Sequence, residues 1–179
     1  MSGLADPVEH DELLNYRLKR LVKIGGAPAI RLCEGRYGVT RQQWRVLAAL
    51  VESGPMSPSK LSERAQQERA VVSRQVTGLV AKGLVQRAEQ AGDRRRAELV
   101  ATPAGRRLYE ALFPQLAQIN RRLMAALDAG EAAVLERLLD KLTAHALQIR
   151  DQGPGDDARA DRRHGGSRRS FAGRADNPA

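Results

Sequence analysis

Apolar residues recur three and four positions apart over most of this 179-residue chain, the spacing that predicts amphipathic helices. Two short apolar runs break that spacing and predict two strands. The predicted helices cover residues 9–34, 40–53, 57–65, 68–82, 102–127 and 128–148, and the predicted strands cover residues 84–88 and 98–101. The fold class that follows is mainly α with a small β-hairpin.

Residues that favour helix ends support these boundaries. Thr40 and Gln43 have the spacing of a capping box, in which each side chain bonds the other residue's backbone N–H. Ser57 before Pro58 predicts an N-cap followed by a first-turn proline, and Gly83 predicts a C-terminal glycine cap. The N-terminal signals recur at Thr102-Pro103 and at Asp128 with Glu131.

The same periodicity predicts which helix faces are buried, and proline predicts where helices depart from regularity. We expect a kink or break at Pro28 and a bend at Pro114. The predicted core face of the second helix is Trp44, Leu47, Ala48 and Val51, and that of the fourth helix is Val72, Val76, Leu79 and Val80.

The order of elements between residues 61 and 105 predicts a winged helix-turn-helix. Two short helices precede the two strands, and the polar segment EQAGDRRR between the strands predicts a hairpin tip. The fourth helix would enter the major groove of double-stranded DNA, and the hairpin would reach the adjacent minor groove. The candidate DNA-binding residues are Ser57, Arg69, Ala70, Val71, Ser73, Arg74, Thr77, Asp93, Arg94, Arg95 and Arg96.

These candidates differ in the contacts they suit. A guanidinium such as that of Arg74 can bond two acceptors on guanine, and Arg95 suits a narrow minor groove of strong negative potential. Asp93 either holds the hairpin or orients a neighbouring arginine. Arg94 and Arg96 either bind phosphates or stay exposed.

The charge distribution supports a phosphate-binding segment. The chain carries a net charge of +9, and residues 40–107 hold 13 Lys or Arg against 6 Asp or Glu. Residues 1–39 hold 6 against 5, residues 108–150 hold 5 against 5, and residues 151–179 hold 6 against 5. The excess is therefore concentrated where the winged helix is predicted, which favours a phosphate-binding face, with a solvated charged face as the alternative.

Several short motifs, in this order and spacing, resemble those of the MarR family of transcription regulators. They are Gln43-Trp44 with the run 46–50, Val72-Ser73-Arg74, Lys82-Gly83-Leu84-Val85, Asp93-Arg94-Arg95 and Thr102-Pro103-Ala104-Gly105. The resemblance covers roughly residues 10–148. It implies a homodimer on an inverted-repeat operator, and a repressor released by a small, often aromatic or anionic, effector.

The resemblance also implies a division of the chain. Residues 1–39 and 108–150 would form the helical dimerisation region, and residues 40–107 the DNA-binding domain. Residues 151–179 lie beyond the resemblance, and their composition, rich in Gly, Asp and Arg, predicts a disordered tail. Two residues depart from the family pattern. Gly78 stands where many relatives carry a basic residue, at a cost of about 1 kcal/mol of helix propensity relative to Ala. Glu68 stands where Asp is a common cap.

Candidate effector-binding residues are fewer, and each has an alternative. Trp44 is expected in the core, or in the wall of an effector cavity. Tyr16, Arg17 and Arg20 either meet an effector carboxylate or form a solvated helix face. The single cysteine, Cys33, is expected as a buried core thiol, with a redox-sensing role as the alternative.

Other classes of function have little support in the sequence. There is no glycine-rich phosphate loop, nucleophile elbow or cysteine–histidine pairing, so we do not expect an enzyme. The three histidines lack metal-ligand spacing, and no metal or cofactor is expected. A non-specific nucleic-acid-binding protein remains an alternative, although single-strand binders use aromatic platforms and aromatics are 3% here. Lacking an apolar leader or span, the chain is expected in the cytoplasm and not at a membrane.

Overall fold

The computed structural model describes residues 3–65, 67–90 and 93–152, with the backbone alone for residues 89, 90 and 93–97. Its elements, in chain order, are α1 Leu14–Gly25, α2 Ala27–Arg31, α3 Arg41–Ser53, α4 Pro58–Ala65, α5 Arg69–Ala81, β1 Val85–Gln90, β2 Asp93–Ala101, α6 Pro103–Met124 and α7 Ala129–Gln152. The chain divides into two compact units, Met1–Ala126 and Leu127–Ala179. The predicted fold class, mainly α with one β-hairpin, is confirmed.

The first predicted helix is interrupted before its proline. A 3₁₀ turn, His10–Glu12, precedes α1, and one turn of π-helix, Leu32–Arg36, follows α2. The break between α1 and α2 falls at Gly26, two residues before the expected site. A Cβ on Gly26 would come closer than 3.0 Å to the carbonyl oxygen of Val22 and to Nη1 of Arg41. Pro28 instead lies in the first turn of α2, where its missing N–H costs nothing.

Helix α3 is the centre of the core. Its capping box is present, with Thr40 Oγ1 accepting from the N–H of Gln43 at 3.0 Å. The buried surface of α3 is wider than the single apolar face that we predicted for it. The reason is that α4, α5, α6 and β2 all pack against this helix. Residues outside that face are therefore buried as well, namely Gln43, Val46, Ala49 and Leu50.

Helices α4 and α5 form the predicted helix-turn-helix. Ser57 Oγ accepts from the N–H of Lys60 at 3.3 Å, so the hydroxyl caps α4. Gly83 ends α5 with φ of 68°, in the left-handed region that glycine tolerates. The expected burial of Val80 was wrong, since its side chain is 38% exposed. Position 80 lies about 100° around the helix from the buried Leu79, on a side that faces solvent.

The hairpin is longer than predicted. β1 and β2 pair antiparallel from Val85 with Ala101 to Glu89 with Ala97, after which Gln90 pairs with Asp93. The polar composition of residues 93–96 predicts a loop. The backbone of these residues belongs instead to β2. Strand pairing uses backbone groups, which every one of these residues has. The register change leaves positions 94–96, all arginine, between the paired positions of β2.

The last two helices also begin at their predicted caps. Thr102 Oγ1 accepts from the N–H of Gly105 at 3.1 Å. Asp128 Oδ1 accepts from the N–H of Glu131 at 2.8 Å, and the Glu131 carboxylate accepts in return from the N–H of Asp128 at 3.0 Å. Helix α6 continues through Pro114 to Met124. Helix α7 extends to Gln152, so the predicted disordered tail does not begin at residue 151, and the rest of that tail lies outside the described residues.

We predict that Gly105→Ala destabilises the protein. A Cβ at this position would come closer than 3.0 Å to the carbonyl oxygen of Leu84, a backbone atom that cannot move freely, and would lie 3.1 Å from Cδ1 of Leu47. The expected loss is about 1–3 kcal/mol in the free energy of unfolding, measured by urea denaturation. Gly35→Ala is the matched control, because a Cβ there meets nothing within 4 Å. Equal stability of the two variants would contradict this account.

Candidate nucleic-acid interface

One face of α5 projects from the core and carries most of the predicted DNA-binding residues. Val72, Val76 and Leu79 are buried and hold the helix in place. The exposed residues on the remaining surface are Arg69, Ala70, Ser73, Arg74 and Thr77. Val71 is half-buried, and it differs in this from the other candidates on α5. An exposed face with two arginines on a firmly packed helix suits insertion into a DNA groove.

Helix α5 begins at Arg69. Glu68 is its N-cap residue, and its side chain makes no capping hydrogen bond. Backbone N–H groups in the first turn of a helix favour anions such as phosphate.

A second arginine lies close to Arg69 and was missed in the sequence. Arg87 on β1 lines the same depression, about 240 Å³ in volume, as Arg69 on α5 and Ser59 and Ser62 on α4. Arg87 is exposed, and no motif singled it out. Its charge on the strand directly after the recognition helix was the available signal. Two guanidiniums beside serine side chains can bind a backbone phosphate.

The remaining DNA-binding candidates lie outside α5, on α4 and β2. Ser57 is the cap of α4, with its hydroxyl bonded within its own helix. Asp93, Arg94, Arg95 and Arg96 lie on β2 by their backbone, and their side chains are outside the described residues.

A separate cavity lies between α1, α2, α3 and α6. We call it the α3 cavity; it measures about 480 Å³, and Cys33, Arg41, Trp44, Asn120 and Leu123 are among its lining residues. Trp44 is only 9% exposed, as expected for a core residue, and it also lines this cavity. This combination of an indole ring and a guanidinium can accept an aromatic anion.

Trp44 is held by aromatic stacking. Its ring lies 5.3 Å from that of Tyr109, with 14° between the planes, and Tyr109 stacks in turn on Phe113 at 5.4 Å. The Tyr109 hydroxyl donates to Glu52 Oε1 at 2.8 Å. Burial, followed by the hydrogen bond and the charge of Glu52, raises the pKa of Tyr109. The stacked ring of Tyr109 therefore fixes the orientation of the Trp44 indole plane from one side.

The other three effector-binding candidates do not line this cavity. Tyr16 and Arg20 line two open depressions, of about 960 Å³ and 560 Å³, and Arg17 lines the smaller one. The structure therefore does not bring Tyr16, Arg17 and Arg20 together with Trp44 in one cavity. Arg41 and Arg45, which the sequence reasoning missed, both line the α3 cavity with Trp44.

Cys33 is fully buried, as expected for a core thiol. Desolvation by burial raises the pKa of its thiol, and the nearby positive charge of Arg41 opposes this shift only in part. A thiol that stays protonated is a weak nucleophile. Within the part of the chain that the structure describes, no group of His, Cys, Asp and Glu could hold a metal ion, and no helix has the length and apolarity to cross a bilayer.

Comparison with known proteins agrees with this geometry. Residues 37–96 match the profile of the MarR family. Over 104 residues the chain is 34% identical to the HTH-type transcriptional repressor NicR of Pseudomonas putida. This match covers 58% of this chain and 66% of NicR. Over 121 residues this chain is 30% identical to the homoprotocatechuate degradative operon repressor of Escherichia coli. This second match covers 68% of this chain and 82% of the repressor. This chain belongs to the MarR family.

The fold of this MarR-family regulator is that of its relatives. The structure of Bordetella bronchiseptica BpsR, whose DNA binding is regulated by 6-hydroxynicotinic acid, matches with a TM-score of 0.69 at 26% identity. The match covers 76% of this chain and 97% of BpsR. The family and these relatives are transcription regulators, so this chain is a regulator and not an enzyme.

We predict that Cys33 is unreactive in the folded protein. Because its pKa is raised, the thiol stays protonated at pH 7, and burial keeps reagents away. Ellman's reagent should release about one equivalent of chromophore only after guanidinium chloride is added. Since the pKa is higher in the folded state, the associated loss of stability should appear only as pH rises above the unfolded value of 9.0. Rapid reaction of the native thiol at pH 7 would instead favour a redox role.

Proposed function

We propose that this protein is a dimeric repressor that binds an inverted-repeat operator in double-stranded DNA and releases it when a small aromatic acid binds. The observation that carries the proposal is the exposed face of α5, where Arg69 and Arg74 project from a helix whose opposite face is buried. Each α5 would enter a major groove, and each hairpin would lie over the neighbouring minor groove.

Within this interface the residues have different roles. Arg74, with Ser73 and Thr77 nearby on the exposed face, reads base edges, because a guanidinium distinguishes guanine by two hydrogen bonds. Arg69 and Arg87 bind a backbone phosphate from opposite sides of their shared depression. Ala70 and Val71 contact the groove with apolar surface, and Ser57 contacts the backbone at the start of α4.

The hairpin supplies a second set of contacts. Arg95 enters the minor groove, where its charge and narrow shape suit the negative potential. Arg94 and Arg96 contact flanking phosphates, and Asp93 orients the arginines. The concentration of these three arginines at one register change of β2 supports a compact, highly charged wing.

Exposed apolar side chains support a homodimer. In α1, Leu21, Val22 and Ile24 are 52–65% exposed. In α7, several large apolar residues are 37–56% exposed, namely Val134, Leu135, Leu138, Leu139, Leu142, Leu147 and Ile149. So much exposed apolar surface marks an interface. We assign residues 1–39 and 108–150 to dimerisation, residues 40–107 to DNA binding, and residues 151–179 to a tail without a contact role.

The α3 cavity is proposed as the effector site. Trp44 offers a fixed ring face and Arg41 a positive charge, which together suit a planar aromatic carboxylate. The regulation of BpsR by 6-hydroxynicotinic acid supports an aromatic acid as the class of effector. The effector needs only to bind the DNA-free form more tightly, and DNA must then weaken effector binding by the same factor.

The function is tested by selecting bound sequences from a pool of random duplexes at low ionic strength. The selected duplexes should contain an inverted repeat with half-sites about one helical turn apart. Affinity should fall steeply with salt, since several phosphates are neutralised. Light scattering should give twice the chain mass of 19.6 kDa. A monomer that enriches no sequence would refute the proposal, and equal binding of single strands and RNA would favour a non-specific nucleic-acid-binding protein.

Two single substitutions separate the proposed roles of the recognition helix and the wing. Arg74→Ala should weaken binding to the selected duplex by about tenfold or more, and random-duplex binding much less, because a base contact is lost. Arg95→Ala should lower affinity for the selected duplex with less change in preference at major-groove positions. Fluorescence anisotropy on selected and random duplexes measures both. Equal losses on the two duplexes for both variants would reject these roles.

A third substitution tests the effector site. Arg41→Met keeps an unbranched side chain, shortens it and removes its charge, so release of DNA by 6-hydroxynicotinic acid or a related aromatic acid should need about tenfold more acid. Arg31→Met, an exposed change on α2 outside the cavity, is the control. Unaltered acid sensitivity in Arg41→Met would overturn the role of Arg41 in effector binding.

A further inference from the structure

A buried glutamine joins α3 to the recognition helix. Gln43 is only 8% exposed, although its side chain is polar. Its Oε1 accepts from the backbone N–H of Thr40 at 3.1 Å and from Nζ of Lys82 at 3.0 Å. One bond belongs to the cap of α3, and the other crosses to the residue that ends α5. The amide therefore has a structural role on both helices.

The glycine inside the recognition helix makes room for this amide. A Cβ on Gly78 would come closer than 3.0 Å to Nε2 of Gln43. The space that a Cβ at position 78 would need is thus filled by the glutamine amide, which would have to shift for any other residue to fit. A helix interior is otherwise an unfavourable place for glycine.

Further hydrogen bonds extend the same contact. We call it the polar seam, formed by Gln42 and Gln43 on α3 with Gln75, Gly78 and Lys82 on α5. Gln75 Nε2 donates to Oε1 of Gln42 at 3.0 Å, and Lys82 Nζ also donates to the Gly38 carbonyl. Positions 75, 78 and 82 follow the i, i+3, i+7 spacing of one helix face. This face lies between the buried face of α5 and the proposed DNA-binding face.

The hydrogen bonds of the polar seam constrain the rotation of α5 about its axis, which apolar packing alone leaves free. The buried valines and leucine of α5 fix its distance from the core, but burial of apolar surface has no preferred direction. Hydrogen bonds weaken steeply as their angles change. The seam therefore resists rotation of α5 about its own axis, and that rotation decides where Arg69 and Arg74 point.

We propose that Gln43 is a positioning residue for DNA recognition, seated against Gly78 and held by Lys82 so that α5 presents its arginines at one fixed rotation. The proposal rests on the DNA-binding function proposed above. Gln43 itself touches no DNA; it acts through α5.

Gly78→Ala is the decisive substitution. If helix propensity were its only effect, this substitution should raise the melting temperature and leave DNA binding unaltered. If the amide of Gln43 must stay in place, the added Cβ displaces it, and the ratio of affinities for the selected and random duplexes should fall about tenfold, the size of one lost base contact. Gly35→Ala, which adds the same Cβ where nothing lies within 4 Å, should leave the ratio unchanged.

Two further variants separate positioning from folding. Gln43→Glu keeps an oxygen that accepts from Thr40 and Lys82, so it should retain the wild-type affinity ratio. Gln43→Leu removes both bonds and should lower the ratio about as much as Gly78→Ala does. If Gln43→Leu does not fold, Gly78→Ala decides alone.

The outcomes distinguish this inference from the function on which it rests. Failure of the wild-type protein to bind any duplex would overturn both proposals. Binding by the wild type, with an unchanged affinity ratio in Gly78→Ala, would overturn the positioning role of Gln43 alone.

Discussion

The DNA-binding half of this protein depends on the burial of α3. Leu47 and Leu50 are almost fully buried, and the helices and strand that carry function all pack against them or their neighbours. Burial of each such leucine contributes about 1.5–3 kcal/mol, so this one helix contributes much of the margin that keeps the unit folded. A displacement of α3 would change the position of the recognition helix, of the hairpin and of the cavity beside Trp44.

Three close approaches to α3 are possible only because the approaching residue is glycine. Arg41 lies over Gly26, Gln43 lies against Gly78, and Leu47 lies near Gly105. The first contact lies in the wall of the α3 cavity, the second lies between α3 and the recognition helix, and the third lies between α3 and α6. In each case a Cβ would occupy space that an α3 side chain or a nearby backbone carbonyl already fills. The glycines thus determine how near the surrounding elements can come, and leucine packing provides the attraction.

Local features of the structure could be predicted from the sequence, and non-local ones largely could not. The caps at Thr40, Ser57 and Thr102 are interactions within four residues, so the spacing of residue types is enough to recognise them. The burial of Gln43 and the exposure of Val80 depend on which elements pack around a helix, and periodicity along one helix does not contain that information. Gly78 looked like a mere cost to the helix because its partner lies 35 positions away. Arg41 and Arg87 were overlooked for the same reason, since each gains meaning from a cavity built by distant segments.

The geometry of α3 also bears on how an effector could reach the DNA. Arg41 and Gln43 are two positions apart and point to roughly opposite sides of the helix, one into the α3 cavity and the other towards α5. If an acid occupies the cavity as proposed, its charge acts on Arg41 within the same helical turn that holds the polar seam. A packed helix moves as a unit more readily than it bends, so a ligand that favours a small rotation of α3 also favours a changed seat for α5. Coupling by this route requires no long chain of contacts, because both ends lie in the first turn of one helix.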